Sequence, residues 1–573
     1  MYAVLLKAWC LFVIFLRCGW CQSNSSDDSL SGSGDAGFPI IVLGKDESTL
    51  WYANVSFGTP NVQKSLRVDI GQPYTWLLKS LNGSETAVRL NDGHVYDFNF
   101  MDGIDISGPA VMDTMNFTAL AFPGENVPET HSINLSSTAV VAPDYLSISN
   151  ISFFEANASA ALNKGSLGLG GKITDQLSET DSTKFDSSFF FLDRLTDLGI
   201  IASPSYSLWF GADNVPYSLR KLPSGTLGDC GKLILGAVDP TLFTGRLHMF
   251  KTIPYIDPET HLESSSYPIL PLGTIYINSA TGKSLNVTAE EFVEPVLLDS
   301  RYSTSYLPID AIIQIAVQIG ATYVEALGRW VVACSVASYD VQLDFSFGDM
   351  SIRVPLEDFL VTTFDVNSNT TIHFSNGAEA CLLAMGSKST IGFNILGGPF
   401  LKNAYTVFDL EDNAIALAQA KKVDSSSSSS ASSSEAAQTS TSASAIRAIS
   451  SGHIPYAESR NTSMTMTLIP AAVPSATSNI PDIFTGTIDS DGLISTGRSF
   501  YQTSRTTPSS KTSETAYESL VISSIVSSSK YLGGATKNNA GHSSVPACVL
   551  EPRGKFPRQV LALLLLVLLA VLL

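Results

Sequence analysis

Two aspartates sit in matched settings. Val68-Asp69-Ile70-Gly71 closes one apolar run, and Leu297-Leu298-Asp299-Ser300 closes another. Each is followed at nearly the same distance by an apolar, glycine-bearing run: Leu167-Gly168-Leu169-Gly170 in the first case, Ile395-Leu396-Gly397-Gly398 in the second. Asp69 to Gly168 is 99 residues and Asp299 to Gly397 is 98. An aspartate after a strand is ordinary; the matched spacing is what implies an internal repeat. Two such halves could bring two carboxyls together at a pseudo-twofold axis. Carboxyls about 3 Å apart cannot both ionise and share one proton. The ionised partner can then take a proton from a water held between them, while the neutral partner donates to a substrate carbonyl oxygen. That chemistry hydrolyses an amide without a metal or covalent intermediate. A glycosidase also uses two carboxylates, but set farther apart, and nothing in the chain suggests a sugar cleft. No CxxC or His/Cys cluster suggests a metal, and no cofactor is expected.

The elements that must hold these aspartates are mostly strands. Trp51, Ala53, Val55 and Phe57 alternate with their neighbours until Gly58-Thr59-Pro60, and Leu66, Val68 and Ile70 alternate again, the period of a half-buried strand. Helical pattern is scarce. The clearest case follows Pro308, with Ile309, Ile312, Ile313, Ala316 and Ile319 closed by Gly320. Another runs near Phe189 to Leu198. The expectation is a mostly-β fold of residues 47–421 with a few short helices.

Of 573 residues, 53 are acidic and 34 basic, giving a formal net charge of −19. That excludes a general nucleic-acid binder, which needs a basic face. The 44% hydrophobic content allows a sizeable core. Residues 1–21, with Lys7 ahead of the apolar run Ala8 to Leu16, read as a secretory signal peptide, and 22–46 as a short N-terminal segment. At the other end, Val560 to Leu573 are 14 consecutive apolar residues, too few for the ~20 of a spanning helix. Behind a polar stretch they fit a GPI-attachment signal over 540–573, with Asn539 the candidate attachment residue; a tail anchor is the alternative. From Ser425 to Lys530, 45 of 106 residues are Ser or Thr, so 422–539 reads as an O-glycosylated stalk. Ten N-glycosylation sequons fit a secreted route: Asn24, Asn54, Asn82, Asn116, Asn134, Asn150, Asn157, Asn286, Asn369 and Asn461. Cys230, Cys334 and Cys381 remain after both signals are removed, so at most one internal disulfide can form.

Taken together, these motifs resemble the pepsin-type aspartic proteases, and more narrowly the fungal yapsins, over about Leu50 to Ala420. Trp51 through Pro60 resembles the family's opening strand. Asp69-Ile70-Gly71 with Trp76 resembles its first Asp-Thr-Gly and the following tryptophan. Leu298-Asp299-Ser300 with Tyr306-Leu307-Pro308 resembles the second, and Ile395-Leu396-Gly397 through Gln419 the C-terminal signature. The resemblance implies a bilobal β fold with a central cleft, lobes of about 47–225 and 226–421, and Asp69 and Asp299 as the dyad, either one serving as base. Gly71, Ser300 and Trp76 would support it. It also implies a Cys334–Cys381 disulfide in the second lobe; the Ser/Thr stalk and GPI signal are yapsin traits.

The departures from the family pattern are local to the dyad. Ile70 lacks the hydroxyl expected across the axis from Ser300, which could leave a buried donor unpaired at ~1–3 kcal/mol. Gln72 and Tyr302 replace supporting hydroxyls. Arg301 replaces a glycine over which substrate backbone would pass, and its cation beside the dyad would favour two ionised carboxylates, unless the side chain folds out along the rim. Phe100 takes the place of the flap tyrosine. Two functions stand against each other: a monomeric cell-surface endopeptidase acting on peptide or protein substrates, held to the plasma membrane by GPI with cell-wall glucan as a further partner; or an impaired pseudoprotease that binds peptide or wall polymer. A purely structural wall glycoprotein is a third reading.

Overall fold

The computed structural model describes residues 38–46, 50–78, 81–101, 104–122, 145–158, 162–172, 185–211, 227–363, 370–422, 446–460, 466–471 and 480–496, all within one compact unit. Both ends of the chain, with the signal peptide, the GPI signal, Asn24, Asn134, Asn369, Asn461 and Asn539, lie outside the described residues.

Trp51–Phe57 and Val62–Asp69 form an antiparallel pair, Ala53 opposite Leu66 and Phe57 opposite Val62. The turn between them needs Gly58: φ is +54°, and a Cβ there would lie 2.3 Å from an Asp113 carboxylate oxygen. This pair belongs to a 15-stranded sheet that also takes in Ser205–Trp209, Leu227–Leu235, Phe243–Lys251, Ala404–Asp409 and Ala414–Ala420. One sheet thus draws on both halves of the sequence. Smaller sheets of five, four and seven strands are built from residues after 268. Trp51, at 1% exposure, stacks on Phe210 with ring centroids 3.8 Å apart; burying such side chains stabilises by about 1.5–3 kcal/mol each.

The repeat in sequence is a repeat in strand pairing. Val62–Asp69 runs parallel to Gly165–Gly168, with Asp69 opposite Gly168, and Trp76 pairs antiparallel with Ser166. Glu294–Leu298 runs parallel to Asn394–Leu396, with Leu298 opposite Leu396, and Tyr306 pairs antiparallel with Ile395. In each half, the late glycine strand lies between the aspartate strand and the next one. Ile309–Ile319 is helical, as its periodicity predicts, buries Ile312, Ile315 and Ala316, and ends at Gly320 with φ +70°. The second helix is Phe191–Asp197.

Two boundaries differ from the sequence reading. The folded body begins before residue 47, since Phe38–Lys45 is a strand paired with Trp51–Phe57 and with Leu227–Leu235. The expected stalk is not all stalk. Arg447–Ala448 pairs with Ala237–Val238, Ala457–Ser459 with Leu247–Met249, and the hairpin of Thr485–Ile488 and Leu493–Thr496 adds to the seven-stranded sheet. The physical reason is apolar residues spaced through the Ser/Thr background: Ile449, Ile454, Leu468 and Ile494 are each no more than 3% exposed.

Cys334 and Cys381 are joined by a disulfide, their Cα atoms 5.0 Å apart and 47 residues apart in sequence. Closing a loop of that length stabilises by about 4 kcal/mol in the chain-entropy treatment. Cys230 lies on the strand Leu227–Leu235, where its side chain is outside the described residues. Of the sequons described, Asn54, Asn82, Asn150 and Asn157 are exposed; Asn116 and Asn286 are half-buried.

Candidate active site

Asp69 ends its strand and Asp299 immediately follows Leu298; they are 0% and 2% exposed. Both are tied by backbone to the late glycine segment, Asp69 as acceptor and Asp299 as donor. Leu169 N–H donates to the Asp69 carbonyl at 2.7 Å, and Asp299 N–H donates to the Leu396 carbonyl at 3.1 Å. Behind each loop the late glycine is required by close packing. A Cβ on Gly168 would stand 2.5 Å from the Tyr74 carbonyl, and one on Gly397 would stand 2.3 Å from the Tyr302 carbonyl. The hydroxyls six residues after each aspartate repeat as well: Gly168 N–H donates to Thr75 Oγ1 at 3.3 Å, and Gly397 N–H to Ser305 Oγ at 3.2 Å.

The two carboxyls face one spot. A Cβ added to Gly71 would lie 3.7 Å from Asp299 Oδ2 and 3.8 Å from Asp69 Oδ1. Ser300 links the loops: its hydroxyl donates to the Val68 carbonyl at 2.6 Å and accepts from Ile70 N–H at 3.2 Å. So Ser300 leaves no donor stranded on its side. Ile70, an apolar side chain 1% exposed in the main core, returns no hydroxyl.

Asp69 accepts four hydrogen bonds. Gly71 N–H at 3.1 Å and Gln72 N–H at 3.0 Å reach Oδ1, while Ser166 Oγ at 2.7 Å and Arg301 at 3.0 Å reach Oδ2. The Arg301 side chain does not fold out along the rim. It is 6% exposed, ion-paired with Asp69, and its guanidinium lies 5.3 Å from the centre of the Trp76 ring. Its backbone N–H donates to Asp299 Oδ1 at 2.8 Å. One residue therefore touches both aspartates, by side chain on one and by backbone on the other.

Gln72 closes the arrangement. Its Oε1 accepts the Trp76 indole N–H at 3.1 Å and lies 3.5 Å from the Arg301 guanidinium. Phe100, which has no oxygen to offer, is 3% exposed in the turn of the hairpin Val95–Asn99/Asp105–Phe122. It packs in an aromatic cluster with Tyr74, Phe98, Phe154, Phe185 and Phe190. Tyr74 Oη has no hydrogen-bond partner in this cluster, and burial raises its phenol. Tyr302 sets its ring against Tyr306, edge to face at 5.7 Å.

Sequence reasoning missed Ser166 and Tyr206. Ser166 lies in the strand Gly165-Ser166-Leu167-Gly168, two residues before the repeat glycine, where its residue type alone gives no sign of a contact with Asp69. Tyr206 is fully buried with an unpartnered hydroxyl; burial and the nearby Asp69 push its phenol well up. No signal in the sequence places it there. Among the described residues, no group of three or more His, Cys, Asp or Glu could hold a metal.

Comparison with known proteins gives the family. The family model for eukaryotic aspartyl proteases matches residues 50–420. The chain is 40% identical to aspartic proteinase yapsin-7 of Saccharomyces cerevisiae, over 87% of this chain and 86% of that one. It is 26% identical to aspartic proteinase 3 of the same yeast, over 67% and 72%. Among solved structures, an aspartic proteinase from Irpex lacteus aligns over 66% of this chain and 97% of its own at 18% identity, with a TM-score of 0.46. The chain belongs to the eukaryotic aspartyl proteases, as an aspartic endopeptidase of the yapsin kind.

Proposed function

We propose that this is a cell-surface endopeptidase in which Asp69 and Asp299 activate a water against a peptide carbonyl, and in which Arg301 holds Asp69 until it is displaced. The observation that carries the reading is the convergence of both buried carboxyls on the Gly71 spot. Two buried carboxyls so close are costly to the fold unless they are used or paired. One is paired: the Arg301 guanidinium neutralises Asp69 through its Oδ2. Hydrolysis then requires the guanidinium to leave that oxygen, and a peptide backbone crossing the Gly71 spot is the natural displacer. Asp299 would protonate the carbonyl while Asp69 takes the proton from water, or the reverse, since a coupled pair titrates as a unit. The fourfold acceptance by Asp69 also favours a second reading, in which the cleft binds peptide without cutting it.

The signal peptide, the ten sequons and the GPI signal support display on the outer membrane face, with wall glucan in reach. Release from membranes by a phospholipase that cleaves GPI is the expected outcome; retention after complete digestion would favour the tail anchor. For the chemistry, the chain secreted without residues 540–573 is incubated with a defined fluorogenic peptide set from about pH 3 to 7. Cleavage that disappears in Asp69→Ala and in Asp299→Ala supports the endopeptidase. Saturable peptide binding with no cleavage, even after Arg301→Gly, supports the second reading.

A further inference from the structure

Leu468 is 1% exposed and shares an apolar cluster with Ile253, Tyr255, Tyr267, Leu297 and Phe393. Leu297 lies two residues before Asp299. Tyr302, three residues after Asp299, packs on this cluster, as do Met101 at the turn of the Phe100 hairpin and Met466. The backbone of Leu468 is held like an added strand. Its N–H donates to the Pro254 carbonyl at 2.8 Å, its carbonyl accepts from Ile256 N–H at 2.9 Å, and it bridges in parallel with Tyr255. Three residues on, Ala471 N–H donates to the Gly392 carbonyl at 3.0 Å. Gly392 is required for this approach: its φ is +96°, and a Cβ would stand 2.6 Å from the Ala471 carbonyl oxygen. Two separate stretches of the body therefore receive one short segment, by backbone pairing and by one aliphatic anchor.

We infer that the edge Pro254–Ile256, with the apolar pocket beneath Leu468, is a peptide-binding site, and that residues 466–471 are its built-in occupant. Its ligand class is an extended peptide carrying a branched aliphatic side chain, taken by strand addition. The occupant regulates the neighbouring dyad, a role that rests on the protease reading above. Leu468 belongs to the same apolar cluster that supports Met101 and Tyr302. While it is seated, the hairpin turn and the loop after Asp299 are held against one another's packing surface. When it leaves, that support goes, and the cleft on the Asp299 side admits substrate more readily. A tethered occupant acts at an effective concentration of about millimolar, so a free peptide at micromolar concentration competes only when the tether is weakened.

The test uses the secreted chain and a fluorescent peptide with the sequence of residues 464–472. Leu468→Asp vacates the pocket. The expected result is saturable micromolar binding of the peptide to Leu468→Asp and binding at least 100-fold weaker to wild type, with no binding of the same peptide carrying Leu468→Asp. In an Arg301→Gly background, Leu468→Asp should raise kcat/KM several-fold through KM. If Leu468→Asp does not fold, Leu468→Ala takes its place in both measurements. Equal binding to wild type and variant, or none to a folded variant, overturns the site. Peptide binding is read without turnover, so an inert dyad would overturn the protease reading and leave the binding result standing. Binding as expected with unchanged KM in an active background overturns the regulatory role.

Discussion

Arg301→Gly should convert a restrained dyad into a faster one. The guanidinium nitrogen lies 3.0 Å from Asp69 Oδ2 with both side chains nearly buried. For charge centres about 4 Å apart at an effective dielectric near 20, the attraction is about 4 kcal/mol. Desolvating two ions offsets part of it, so the net cost of lifting the guanidinium away lies below that figure. A cost of ~1.4 kcal/mol corresponds to tenfold in rate and 4 kcal/mol to nearly a thousandfold. The expected gain in kcat/KM on a fluorogenic peptide is therefore between ~10-fold and ~1,000-fold. Arg301→Met separates the two causes, since it removes the charge and keeps most of the bulk. If charge is the restraint, both variants gain; if bulk is, only Arg301→Gly does. Adding Ile70→Thr gives Ile70's position a hydroxyl facing the Ser300 loop, and its effect should not simply add to that of Arg301→Gly because the two share one site. Asp69→Ala in the Arg301→Gly background should remove the gain. The reasoning is refuted if folded Arg301→Gly is no faster than wild type at any pH, or if the gain survives Asp69→Ala.

Ser166→Ala in the Arg301→Gly background should lower kcat at least tenfold with KM little changed, since it removes a hydrogen bond to a charged group worth about 1.5–3 kcal/mol; a change in KM alone would contradict that role. Burial by itself would raise the Asp358 carboxyl, but Lys402, Lys422 and the Asn403 amide outweigh it and hold it below the usual range. Its stabilising contribution is thus full above about pH 4 and is lost as pH falls through the lowered folded value. Asp358→Asn leaves Lys402 buried beside a neutral group and should cost about 3–5 kcal/mol in urea unfolding, while flattening the acid side of the stability profile. His248 is pushed down by burial and then by Arg460 and Arg246, against Asp349 and Glu458, and its Nδ1 accepts from Arg460 Nε–H at 2.9 Å. Protonation breaks that bond, so docking of 457–460 is full above about pH 6.5 and weakens as pH falls below it. Protection of the Arg460 amide, which donates to the Met249 carbonyl, should drop between pH 7 and pH 5 in wild type and not in His248→Asn.

The aspartates and their strands were legible because the signal was repeated: 99 and 98 residues from aspartate to glycine, each glycine fixed by a carbonyl crossing over it. The helix after Pro308 was legible from its apolar stripe and its closing glycine. Arg301 was legible as an anomaly but not as a contact. Its reach to Asp69 spans 232 residues of sequence and depends on how the halves meet. The hydrogen bond from the Trp76 indole to Gln72 was hidden for the same reason, because Trp76 chooses its acceptor in three dimensions. The docked pieces of 446–496 were masked by composition. Averaged over the Ser/Thr-rich stretch, a few isoleucines and Leu468 carry little weight, yet each is placed on a sheet edge or in a pocket of the body. Ser166 was not legible, because its bond to Asp69 joins positions 97 residues apart and depends on the strand pairing.

The most direct test of the central claim is product mapping. The secreted chain and its Asp299→Ala variant are each incubated with a mixed peptide library across about pH 3 to 7, in wild-type and Arg301→Gly backgrounds, and new peptide termini are identified by mass spectrometry. The account expects internal cleavages in wild type, more of them at the same bonds in Arg301→Gly, and none once Asp299 is replaced. Cleavages that persist in Asp299→Ala, or no cleavage in any background, would contradict it.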